Sequence, residues 1–124
     1  RTVSITSWNL HQQLRLYRNM FAQSALGSMY KYGVGVDQDY SMSVKWYRKA
    51  AEQGYTDAQY EMGLSHVLGL GSLLDFEEAY FWLLLASASG NVDAVELRNE
   101  ISNVLSMTQM ERIRNRAKRW MEEH

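Results

Sequence analysis

Cysteine and proline are both missing from the 124 residues of this chain. The first absence excludes a disulfide scaffold, a thiolate zinc site and a cysteine nucleophile. It leaves the compartment open, because a cysteine-free chain suits oxidising and reducing surroundings alike. A surplus of either charge is missing too. Thirteen basic against fourteen acidic residues leave a net charge of −1, which argues against a globally electrostatic nucleic-acid binder. The longest apolar run, residues 79–86, falls far short of the roughly 18 residues that span a bilayer, so no membrane insertion is expected. Arg1 in place of methionine points to a processed chain or to a piece of a longer one. What is plentiful is apolar and aromatic side chain, at 46% and 12%. That is enough for the core of one domain and too much for a disordered chain.

The eight glycines act as a ruler. They form four pairs, Gly27/Gly63, Gly33/Gly69, Gly35/Gly71 and Gly54/Gly90, each 36 residues apart. Sliding residues 22–54 onto 58–90 gives nine identities in 33 positions without a gap, among them Ala22/Ala58, Gln23/Gln59, Asp39/Asp75, Trp46/Trp82 and Ala50/Ala86. A fixed period of this size marks a repeat architecture in which each unit buries a face against its neighbours.

Each unit reads as two helices. Ala22, Ala25, Leu26, Met29 and Tyr30 follow helical spacing. Gly27 inside that helix costs about 1 kcal/mol relative to alanine, so another helix backbone is expected to approach it closely. Gly33 and Gly35 turn the chain, and Asp39 is expected to cap a second helix over 40–53 whose core stripe is Ser43, Trp46, Tyr47, Ala50 and Ala51. The second unit repeats the plan with Asp57 and Asp75 as caps. A third begins with Asp93 as cap and runs from 94 to about 105, and Thr108 with Glu111 reads as a capping box opening a last helix over 109–122. Before residue 22, Trp8, Leu10, Leu14, Tyr17 and Phe21 fit one helical stripe, compatible with a degenerate second helix of a preceding unit or with one long opening helix. The organisation expected is therefore an N-terminal helix or capping repeat over 1–21, repeats over 22–57 and 58–93, and a C-terminal capping helix pair over 94–124.

The stretch AQSALGSMYKYGVGVDQDYSMSVKWYRKAAEQG resembles the Sel1-like repeat, a 36-residue relative of the tetratricopeptide repeat. The matching elements are Ala22, Leu26-Gly27, Tyr30, Gly33-x-Gly35-Val36, Asp39 and Trp46-Tyr47-x-Lys49-Ala50-Ala51-x-x-Gly54. The second copy departs from the pattern at His66, at Ser72-Leu73-Leu74 and at Leu83. The resemblance implies an all-α fold, a right-handed superhelix (solenoid) of antiparallel helix pairs, that serves as a protein-binding adaptor rather than a catalyst.

In repeats of this kind the first helices line a concave groove. The resemblance places Ser24, Ser28, Lys31 and Tyr32 there in the first unit, Tyr60, Leu64, Val67 and Leu68 in the second, and Glu96, Glu100 and Asn103 in the third. The groove would run from polar and weakly basic through an apolar centre to acidic. That is the anatomy of a peptide or helix groove, although such apolar residues also serve to stack repeats. A second feature lies on the second helices. Lys45, Arg48 and Lys49 of the first unit become Phe81, Leu84 and Leu85 in the second. Exposing these three would forgo about 1.5–3 kcal/mol each, so either a lid covers them, from the N-terminal segment or the last helix, or they form a homo-oligomer or partner interface. Finally, Arg112, Arg116 and Arg119 share one face of the last helix and read as a solvated basic patch.

No catalytic constellation stands out. His11, His66 and His124 are scattered, and His66 occupies a core tyrosine slot. Asp37 and Asp39 lack the twelve-residue calcium loop, and Gly33-x-Gly35 lacks the third glycine and preceding strand of a dinucleotide loop. No catalytic residue, cofactor or metal ligand is assigned. The expectation is a scaffold for a protein or peptide ligand. An oligomerisation module or an inhibitor of a toxin is the alternative.

Overall fold

A computed structural model of the chain describes residues 7–124. Among the described residues there are six helices and no strand: α1 (Ser7–Tyr32), α2 (Tyr40–Glu52), α3 (Thr56–Leu68), α4 (Phe76–Ala88), α5 (Val92–Ile101) and α6 (Met107–Glu123). α1 packs on α2, α2 on α3, and α4 receives α3, α5 and α6. The result is the all-helical solenoid that the 36-residue period implies. α1 runs without a break from Ser7 through the Leu10–Phe21 stripe into the first repeat, whereas the side chain of Trp8 lies outside the described residues.

Both second helices start as their sequence predicts. The Asp39 carboxylate accepts from the Met42 amide, and the Asp75 carboxylate accepts from the Glu77 and Glu78 amides. Three other caps differ. Tyr55 precedes α3 with no side-chain cap, Asn91 caps α5 by accepting from the Ala94 amide, and Ser106 with Gln109 forms the box that opens α6. Asp57 and Asp93 lie instead inside first turns, where a carboxylate favours the helix dipole without closing an amide. Thr108 lies inside α6, past its cap, and α5 stops at Ile101, earlier than the apolar spacing suggests.

The six turn glycines, Gly33, Gly35, Gly54, Gly69, Gly71 and Gly90, all adopt positive φ. At Gly71 the requirement is doubled, because a Cβ there would overlap the Tyr40 carbonyl and press on Val44. A Cβ on the helical Gly27 would first meet the ring of Tyr47, and one on Gly63 would meet the Leu83 side chain with the Ala79 carbonyl 3.4 Å away. The core runs through Val44, Tyr47, Ala50, Ala51, Met62, Trp82, Leu83 and Leu85. Val44 replaces the half-buried Trp46 of the predicted stripe.

Candidate functional site: the concave clefts

Two adjoining clefts open on the side of the first helices. The wider one, about 1020 Å³, is lined by Phe21, Ser24, Ala25 and Ser28 from α1, Tyr47 from α2, Tyr55 before α3, Asp57, Tyr60 and Glu61 in α3, Asn91 before α5 and Asp93 in its first turn. The narrower one, about 310 Å³, gathers Lys31, Tyr40, Val44, Tyr47, Glu61, Leu64, Leu68 and Leu70. The predicted groove is therefore divided. Ser24, Ser28 and Tyr60 line one part, and Lys31, Leu64 and Leu68 line the other.

Several groove residues differ from expectation. Ser24 is buried at the edge of the wider cleft, and Ser28 shares a 2.6 Å hydrogen bond with the Tyr47 hydroxyl. Val67 packs on the core. Tyr32, Glu96 and Glu100 are exposed and line neither cleft. The basic end of the groove is neutralised, since Lys31 Nζ lies 2.7 Å from Glu61 Oε1. Burial draws the Lys31 ammonium down, and the hydrogen bond and charge of Glu61 more than offset it, leaving its pKa above the ordinary lysine value. Burial also raises the hydroxyl of Tyr60, with Asp93 and Glu61 adding to the effect. Sequence reasoning missed Tyr55, Asp57, Glu61 and Asp93 as lining residues. The one available signal was an aromatic, Tyr55, in an otherwise polar turn.

The apolar face on α4 is covered. Phe81 and Leu85 are 3% and 2% exposed, and Leu84 is half-buried. α6 lies across α4 and brings Ile113, Ala117 and Trp120 to this cluster. Phe81 and Leu85 are thus closed off within the chain, and Leu84 keeps a partly open surface. The arginines of α6 hold the lid. Arg112 pairs with Glu77 at 2.7 Å, and Arg116 pairs with Glu78 while its guanidinium sits 3.8 Å over the Phe81 ring. Arg119 borders the same cleft between α4 and α6. The basic patch predicted on α6 is thus largely turned toward carboxylates of α4. His66 fills its core slot, with Nδ1 donating to the Leu73 carbonyl at 2.9 Å. Among the described residues no cluster of histidines and carboxylates forms a metal site, and no helix is long and apolar enough to cross a membrane.

Helix pairs turned by positive-φ glycines and stacked at a 36-residue period define an α-solenoid repeat protein. The chain belongs to the Sel1 repeat family, whose sequence model matches residues 21–55 and 56–91. Proteins of that family generally mediate protein–protein interaction on a scaffold that is typically non-enzymatic. The chain is similar to chitin synthase regulatory factor 3 of Schizosaccharomyces pombe, at 35% identity over 88 residues. That match covers 67% of this chain and 9% of the fungal protein. Among solved structures it is similar to a protective antigen of uropathogenic Escherichia coli with an SLR fold, at 33% identity and a TM-score of 0.78, covering 83% of this chain and 22% of that one. A Sel1 repeat protein from Oxalobacter formigenes is likewise 33% identical, with a TM-score of 0.66 over 68% of this chain and 35% of that one. Both solved relatives are bacterial, and the chain spans a minor part of each of the three proteins.

Proposed function

We propose that this chain is a protein-interaction module whose concave clefts, centred on Tyr60, Leu64 and Leu68, take a peptide or helix of a partner protein, with no chemistry of its own. One observation carries the reading. Aromatic and aliphatic side chains of α1–α3 line two adjoining clefts beside Asp57, Glu61 and Asp93. An apolar centre bordered by charge suits a peptide that anchors through side chains and is oriented by its polar flanks. Rigid helix pairs hold these residues before binding, which spares part of the ordering cost. The fungal relative is named a regulatory factor of an enzyme, a role that a scaffold performs by contact. The test is affinity capture with the intact chain against its Leu64→Asp variant, with Leu68→Asp as a more exposed companion. Capture should be lost in both while helical content and melting stay unchanged. Capture that persists in both variants sinks the assignment of the clefts.

A further inference from the structure

The wider cleft is one-sided in charge. Among the described residues Asp57, Glu61 and Asp93 line it and no lysine or arginine does, although the whole chain carries only −1. Glu61 is answered by Lys31 from the neighbouring cleft. Asp57 and Asp93 have no ion pair and no side-chain hydrogen bond among the described residues. The repeat sets this pattern. Phe21, Asp57 and Asp93 stand 36 residues apart, at one position of successive first helices, and so do Ser24, Tyr60 and Glu96. Two rows therefore cross the concave side, one ending in two carboxylates and one with a tyrosine at its centre. A buried hydroxyl adds to them. Ser24 is only 8% exposed and lines this cleft, yet its hydroxyl has no hydrogen-bond partner among the described residues. A buried hydroxyl left open to a cleft is a free acceptor.

We propose that the wider cleft holds an arginine side chain of the partner segment, its guanidinium between Asp57 and Asp93 and beside the Tyr60 ring, with the Ser24 hydroxyl as a further acceptor. This rests on the reading of the clefts as a peptide site. The two aspartates stand on neighbouring first helices, about 8–10 Å apart from axis to axis. That is too wide to close on a metal ion, whose oxygen ligands sit at about 2.0–2.6 Å, and among the described residues no such cluster forms. A planar guanidinium with five donors spans separated acceptors and stacks on a ring, whereas the ammonium of lysine is a point charge. The partner then supplies the one sign of charge that this cleft lacks.

The test is selection by the intact chain from a phage-displayed library of random short peptides. The selected peptides should be enriched in arginine over lysine. Replacing that arginine by citrulline, which keeps the shape and loses the charge, should weaken binding about tenfold or more. The double variant Asp57→Asn with Asp93→Asn should keep its helical content, because both side chains are exposed, and should bind the arginine and citrulline peptides alike. Selection without arginine enrichment, or an arginine preference that survives the double variant, would overturn the assignment. Arginine-free peptides whose binding is lost on Leu64→Asp would overturn it and leave the proposed function standing. A chain that selects no peptide would overturn both.

Discussion

The ring of Tyr47 rests on Gly27. A Cβ at that glycine would lie 2.8 Å from the ring, and the nearby Ser43 hydroxyl donates a 2.7 Å hydrogen bond to the Gly27 carbonyl. The second repeat keeps the geometry with other chemistry. Leu83 covers Gly63, and Ala79 stands where Ser43 stood. In both repeats the missing side chain is what lets the second helix close on the first.

Gly27→Ala sets helix propensity against overlap. Alanine contributes about 1 kcal/mol to the helix, while forcing a methyl into a packed ring costs about 1–3 kcal/mol. Because Tyr47 is buried and its hydroxyl is tied to Ser28, the ring has little room to yield. The expected outcome is a lower melting temperature in thermal unfolding followed by circular dichroism. A stabilised variant would mean that the ring moves aside.

The lid on α4 predicts an order of losses. Phe81→Ala removes a buried ring and should cost about 3–5 kcal/mol. Arg112→Ala breaks an exposed ion pair and should cost about 0–1 kcal/mol. Arg116→Ala should fall between them, since its guanidinium also covers the Phe81 ring. Urea unfolding of the three variants checks the ranking. Equal losses for the two arginines would remove the stacking contribution.

The alkaline limb of stability has identifiable owners. A group that holds its proton more tightly in the folded chain contributes stability that is complete below its unfolded pKa. That contribution is lost as pH rises through the folded value. Lys31 and Tyr47 are both raised above their ordinary values of 10.5 and 10.0. Lys31 is raised by Glu61 against the pull of burial, and Tyr47 is raised chiefly by burial. Stability should therefore hold up to about pH 10 and decline above it. Lys31→Met and Tyr47→Phe should each flatten that decline in unfolding curves taken across the alkaline range. A slope unchanged in both variants contradicts the assignment.

His66 ties the second glycine loop to its helix through the Leu73 carbonyl, while the Asp75 amide bonds the His66 carbonyl independently of the side chain. His66→Leu should therefore keep the helix-to-loop backbone bond and lose the inner tether. Hydrogen exchange should quicken within 69–74 and stay unchanged in 33–38. Uniform quickening across both loops would point to global destabilisation instead.

Much of the fold was legible because its determinants are local. Glycine at a positive-φ turn and aspartate before a helix act within four residues, so Gly33, Gly69, Asp39 and Asp75 announce themselves. Caps were misplaced where several suitable residues crowd one turn. Asn91 and Asp93 both qualify by type, and only the backbone trace decides which carboxyl or amide oxygen reaches the free amide. Of the residues expected in the groove, Tyr60, Leu64 and Leu68 do line the clefts. Its charge was not, because Lys31 and Glu61 stand thirty residues apart and meet only when the repeats stack.

By itself the sequence determined the repeat length, the hairpin unit and the family, since these follow from spacing and from what glycine, aspartate and alanine do to their own neighbourhoods. The absence of proline fits the same picture. With no proline to stop a helix, paired glycines make the turns. Tertiary structure alone decided which surfaces stay open. Phe81 and Leu85 read in the sequence as either a covered patch or an interface, and both are buried, Phe81 beneath Arg116 of α6. Leu14 and Tyr17 fit a preceding helix or one long opening helix in the sequence, and they lie half-exposed on a single α1. Burial depends on which helix arrives from far along the chain, and no local pattern carries that information.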